Sequence, residues 1–138
     1  TIDAIATDHA PHADHEKDQE ISYAPPGLIG LETALALTIT NLVEPGHLTL
    51  AQAIERLSVA PARILGLDGH GGPVEAGAAA NLCVFDPAAS WTVNAATFNS
   101  KSRNTPFQGH TLTGKVVHTF FRGRRTVVDS SVQMGVLV

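Results

Sequence analysis

Apolar residues change their spacing once along this chain, near residue 68. Before that point they recur with helical periodicity; after it they gather in short runs separated by Gly and Pro. Leu28, Leu31, Leu35, Thr38 and Leu42 fall on one stripe, which predicts a helix ended by Pro45-Gly46. A second helix is expected from Thr49, where Gln52 three residues on fits a capping box and Leu50, Ile54 and Leu57 supply the apolar face. Pro61 reopens a short helical turn through Ala62 to Leu65, closed by Gly66. Residues 2–7 form a short apolar run, read as a strand because Pro11 and a polar cluster stop it. From His12 to Gly27 the chain is polar, a loop of roughly 15 residues, and loops of that length are usually functional or mobile. Further strands are expected at Leu82–Phe85, Trp91–Val93, Lys115–Phe121 and Arg125–Val128. The pattern divides the chain into a strand–loop–helix unit, residues 1–68, and a β-rich module, residues 69–138.

Composition narrows the class. Charged residues make up 16% and apolar ones 43%, against about 25% charged in an average soluble domain. A disordered chain is excluded, since disorder requires low hydrophobicity and high net charge. The net charge is −4, with nine Lys and Arg scattered along the chain. That is not the basic footprint that phosphate neutralisation demands, so no nucleic acid is expected as a partner. The single cysteine, Cys83, cannot form an intramolecular disulfide and fits a reducing compartment. Its apolar run makes it read as inert packing. No apolar run reaches the length of a membrane span, and no signal-peptide pattern opens the chain. Few charges and many alanines leave little dedicated solvent-facing surface, as expected of a piece of a larger protein.

The densest chemistry is Asp8-His9-Ala10-Pro11-His12-Ala13-Asp14-His15-Glu16. Such a set of imidazoles and carboxylates just after an apolar strand suits a zinc or other transition-metal site. In barrels of parallel strands the active site lies at the C-terminal strand ends, so a carboxylate there is well aimed. The alternative is a polar surface loop whose histidines meet only solvent. His47, His70, His110 and His118 are isolated, and Lys101-Ser102-Arg103 is either an anion contact or a solvated turn.

At this cluster the chain resembles a family. Thr7-Asp8-His9-Ala10-Pro11-His12 resembles the strand-eight signature of class I dihydroorotases, in the amidohydrolase superfamily. Pro26 to Thr33 looks like the loop-to-helix segment that follows in those enzymes, and Pro61 to Leu67 is similar to their next helix. Gly77 to Asp86 resembles a strand of the amidohydrolase C-terminal β module, with Asn81 where Asp is commoner. Asn104-Thr105-Pro106-Phe107-Gln108-Gly109, with Leu112 and Gly114, looks like a late dihydroorotase motif.

The resemblance implies an α/β fold: the last strand and helices of a metal-dependent (β/α)8 barrel in residues 1–68, and a small β-sandwich module in residues 69–138. It implies a Zn2+ centre of one or two ions and reversible cyclisation of N-carbamoyl-L-aspartate to dihydroorotate, with loss of water, in pyrimidine synthesis. Asp8 would be the metal ligand and general acid/base, His12 would contact the substrate carboxylate, and the backbone of Pro26 and Gly27 would close over the substrate. His9 and His15 match no role. The family's other ligands, an early His-x-His pair, a carboxylated lysine and two later histidines, lie on strands before this segment. The chain is therefore expected to be a C-terminal fragment that is inactive by itself. A cytoplasmic setting follows, and the resemblance allows a homodimer and an association with aspartate transcarbamoylase. A hydantoinase or allantoinase shares the barrel and the strand-eight Asp, but His12 and Thr105-Pro106-Phe107 favour dihydroorotase. A non-catalytic dihydroorotase-like subunit that scaffolds aspartate transcarbamoylase is disfavoured by the presence of Asp8 and His12. A stand-alone α/β domain with a decorative His loop is the remaining reading.

Overall fold

In the computed structural model, which describes residues 2–133, the first long helix begins later than its leucine stripe suggests. The loop first makes one helical turn, α1 (Asp14–Lys17). Helix α2 (Ala34–Thr38) then starts six residues after Leu28 and passes directly into a π-type segment, Ile39–Val43. Leu28 is held in a parallel bridge to His9, and the Ile29 amide donates to the Asn104 carbonyl at 3.1 Å. These bonds keep residues 28–30 out of the helix and leave Leu31 65% exposed. The stripe was apolar without being helical throughout.

The next helical run is continuous: α3 (Leu50–Ile54), a π-type segment Glu55–Val59, and α4 (Ala60–Leu65). Its start is the expected capping box, with Thr49 Oγ1 accepting from the Gln52 amide at 3.2 Å and Gln52 Oε1 accepting from the Thr49 amide at 2.8 Å. Pro61 does not open a separate turn. It lacks an amide proton and its ring clashes with the carbonyl four residues back, so the wider π turn ahead of it absorbs the misfit. Gly66, at φ 63°, ends the run in the left-handed region. The buried face consists of Ala53, Ala60 and Ala62, while Ile54 is partly exposed.

Residues 2–7 form no strand ladder. The Ile5 amide donates to the Arg56 carbonyl at 2.9 Å, and Arg56 Nε donates to the Ile2 carbonyl at 3.1 Å. A parallel strand takes its bonds from neighbouring strands, and among the described residues the one isolated bridge falls just past the run, at His9 and Leu28. The described residues thus form no closed barrel.

Four strands form one antiparallel sheet in sequence order: β1 (Leu82–Thr92), β2 (Thr111–Phe121), β3 (Arg124–Val128) and β4 (Ser131–Val132). The two runs expected at 82–85 and 91–93 belong mostly to a single bulged strand. Its register shifts between Asp86 and Ser90, where Asp86 Oδ1 accepts from the amides of Ala88 and Ala89. Arg122 (φ 50°) and Gly123 (φ 79°) make the β2–β3 turn, and Asp129 (φ 49°) with Ser130 (φ 63°) makes the next. Two successive positive φ values match the right-handed twist of the flanking strands. A sandwich needs a second sheet, and the described residues hold only one. Against β2 lie α2 and its π continuation instead. The core between them is Ile29, Ala36, Val93, Ala95, Phe98 and Leu112. Gly114 (φ 99°) permits the close approach, because a Cβ there would lie 2.5 Å from Ile39 Cδ1.

Candidate functional site

The loop that follows the apolar run is shaped by hydrogen bonds to main-chain atoms. Asp8 turns the chain at its base, exposed and with φ 44°. A non-glycine residue there is uncommon, and the short polar side chain of Asp is one of the few that tolerate it. His9 follows, and its Nδ1 accepts from the amides of Gly30 at 3.1 Å and Leu31 at 3.4 Å. Two donors on one ring nitrogen place its proton on Nε2. The residue that matched no role therefore anchors the turn into α2.

His12 points the other way. Its Nε2 lies 3.1 Å from the Pro26 carbonyl, which can only accept, so that nitrogen carries the proton. Lys17 Nζ donates to the carbonyls of Pro25 at 2.8 Å and Gly27 at 3.2 Å. Gly27 sits at φ 111°, and a Cβ on it would come 2.6 Å from Ala10 Cβ. No other residue fits there without displacing the loop. Asn104, distant in sequence, joins both arms. Its Nδ2 donates to the carbonyl of Ala10 at 2.9 Å and of Gly27 at 3.4 Å, and its Oδ1 accepts from the His12 amide at 3.3 Å.

The structure thus brings His12, Pro26 and Gly27 together and leaves Asp8 at the loop's base. Asn104 and Lys17 were not singled out from sequence as site residues, although the motif at 104–109 contains the first. The cluster at 8–16 does not converge. Among the described residues, no group of three or more His, Cys, Asp or Glu side chains could hold a metal ion. The physical reason is that several are already engaged: His9 with two amides, His12 with Pro26, and Glu16 Oε2 with the Ala13 amide at 2.8 Å. A catalytic zinc takes about three protein ligands. The free carboxylate of Asp8 could be one of them, so these residues do not constitute a zinc site by themselves.

Away from the loop, a cleft of about 830 Å³ lies between α2 and the sheet, lined among others by Leu35, Trp91, Phe98 and Val116. None of residues 8–27 borders it. Cys83 is exposed on β1, contrary to its expected burial. Partial desolvation of its sulfur still pushes the thiol above its ordinary value. Among the described residues no helix is long and apolar enough to cross a membrane.

Residues 1–126 match the sequence model of the amidohydrolase family. Over 124 residues the chain is 52% identical to the dihydroorotase of Chlorobaculum tepidum, which covers 90% of this chain and 28% of that protein. Over 132 residues it is 47% identical to the dihydroorotase of Streptomyces coelicolor, covering 96% of this chain and 31% of that one. It superposes on the solved L-hydantoinase (dihydropyrimidinase) from Arthrobacter aurescens with a TM-score of 0.86 at 30% identity, over 96% of this chain and 30% of that one. The chain spans less than a third of the length of each of these relatives.

Proposed function

The chain belongs to the amidohydrolase family, and from that premise we propose that it supplies the C-terminal part of a dihydroorotase. The carrying observation is the 52% identity to a dihydroorotase across nine-tenths of this chain. The whole activity is the reversible cyclisation of N-carbamoyl-L-aspartate to dihydroorotate, in the cytoplasmic synthesis of pyrimidines. On this proposal residues 1–68 complete a (β/α)8 barrel and residues 69–138 give one sheet of a β-sandwich. Zn2+, in one or two ions, belongs to the complete protein, and Asp8 is the one ligand this chain offers it.

In ring opening, a water oxygen bonds to the ring carbonyl carbon and the carbon–nitrogen bond breaks. Asp8 accepts the proton from the water and returns it to the departing nitrogen. Closure reverses each step and releases water. His12 holds a substrate carboxylate, which requires its ring to exchange the Pro26 carbonyl for the ligand, and the Pro26–Gly27 backbone closes over that ligand. The bond between His12 and Pro26 supports this reading by putting the two expected contacts within one hydrogen bond of each other. A homodimer and an aspartate transcarbamoylase partner belong to the same proposal.

A hydantoinase-type activity is the second reading, favoured by the likeness to the Arthrobacter enzyme. The test is a substrate panel on the longest protein that carries this chain: dihydroorotate and N-carbamoyl-L-aspartate against hydantoin, dihydrouracil and allantoin. Preferential turnover of the first pair is expected. Preferential turnover of hydantoin or dihydrouracil would replace this reading with the second.

A further inference from the structure

We propose that Asn104 is the positioning residue of this site, the one side chain that sets where His12 stands relative to the Pro26–Gly27 backbone. The inference rests on the reading above in one respect, that His12 holds a substrate carboxylate. Its foundation is geometric. Asn104 is half-buried, and its amide has complementary partners on both sides: an N–H facing Oδ1, from His12, and two carbonyls facing Nδ2, from Ala10 and Gly27. That pattern fixes the amide's orientation, because a flipped group would set NH2 against N–H and oxygen against oxygen. Its main-chain carbonyl also accepts from the Ile29 amide. One residue therefore touches the arm carrying His12 at two atoms and the opposite arm at two more.

Few apolar contacts could do this work instead. Pro11, Pro26 and Gly27 are exposed, while Ala10 and His12 are only half-buried. Asn104 is in turn held by a segment rooted in the core, since Phe98 and Leu112 flank its stretch of chain and Phe107 packs against the same cluster. The rigid helix–sheet layer thus dictates the spacing of two loop arms through a single amide. Asn104 has no part in bond making. Its effect passes through His12.

The experiment uses the longest protein carrying this chain, with Asn104→Ala, Asn104→Asp, His12→Ala and the Asn104→Ala/His12→Ala double variant. Asn104→Asp keeps the acceptor for the His12 amide but faces two carbonyls with a carboxylate. Asn104→Ala is expected to lower kcat/KM for dihydroorotate by up to roughly tenfold, chiefly through KM and by no more than His12→Ala, since its effect passes through His12. Asn104→Asp should fall close to it. The double variant should be no worse than His12→Ala, because groups acting through one another are not additive. Hydrogen exchange should speed at the amides of Ala10, His12 and Ile29 in Asn104→Ala and stay slow at Val93 and Leu112. Multiplying losses in the double variant, unchanged exchange at the loop amides, or equal loss of protection in the core would each overturn the proposal. Absence of ring chemistry in the wild-type protein would instead overturn the functional reading. The exchange result would then still decide whether Asn104 clamps the loop.

Discussion

The loop at residues 8–27 and the layer of α2 against the sheet are held by different forces. In the layer, Val93 is fully buried, Ile29 and Leu112 are 3% exposed, and the glycine at 114 lets Ile39 close onto β2. This region is stabilised by area removed from water, and its close packing makes it stiff. In the loop almost nothing is buried, and the chain path is specified by side chains bonded to carbonyls and amides: His9, His12, Lys17 and Asn104. Such bonds are directional and each contributes only about 0.5–1.5 kcal/mol net. On the proposed function the chemistry sits on the loop, whose path rests on directional bonds, and is rooted in the packed layer.

The largest expected effect separates chemistry from both kinds of support. Asp8 has no place in the core and engages in neither ion pair found among the described residues. Asp8→Asn in the longest protein carrying this chain should leave the melting temperature nearly unchanged and lower kcat by 10²–10⁴-fold, the usual contribution of general acid–base catalysis. Opening and closure should fall together, because one proton serves both directions. Steady-state kinetics in both directions, with metal content measured, checks it. Retention of more than about a tenth of kcat would end the proton-carrier role.

The core side of the comparison is next. Leu112→Ala removes a buried side chain from a packed cluster and should destabilise by about 2–5 kcal/mol. Denaturant unfolding measures the loss. Below the transition, the hydrogen-exchange pattern of residues 9–27 should match wild type. Loop amides that open before the sheet in this variant would mean that the two regions are not supported independently.

Legibility in the sequence follows the same division. Features set by local chemistry or burial were readable: the Thr49–Gln52 capping box, the Gly66 cap, the ends at Pro45-Gly46, and the runs that became β2 and β3. What was misread depended on partners far along the chain. The stripe predicts a helix from Leu28 because it cannot show that Asn104 and His9 hold residues 28–30 out of the helix. Residues 2–7 have a strand's composition, yet a strand needs neighbours. The His-rich cluster suits a metal by composition, but successive residues of the loop face different backbone partners, and sequence adjacency does not show which side chains meet. Asn104 lies 92 residues from His12, and no periodicity or spacing signals such a pair.

A smaller effect probes the loop's ligand face. His12→Ala should raise KM by roughly tenfold with a lesser fall in kcat, since a carboxylate contact present in ground and transition states alike is uniform binding. Some kcat loss is expected because a poorly anchored substrate is poorly oriented. A fall in kcat with KM unchanged would reassign His12 to the chemical step.

The smallest effect tests whether the loop's polar bonds act singly or as a set. Lys17 lies in α1 and reaches over the loop to two carbonyls, at Pro25 and Gly27, and forms no ion pair among the described residues. Its ammonium is partly solvated, so most of what it gains from those carbonyls it would otherwise gain from water. Lys17→Ala should therefore cost at most about 1 kcal/mol, and in the global melting temperature it should be nearly invisible, because the loop contributes little to the cooperative core. Locally the same loss is large. An opening equilibrium shifted by about 1 kcal/mol changes five-fold, so the Tyr23 and Ala24 amides, bonded to Glu20 within the arm that Lys17 ties down, should exchange several-fold faster. Amides on the His12 arm should change less, because Asn104 still holds them. Equal acceleration on both arms would show that the loop opens as one unit, with Lys17 and Asn104 closing the same gate. Acceleration confined to residues 23–24 would show that Asn104, bonded to Gly27 and to the His12 arm, keeps both in register with the core without Lys17.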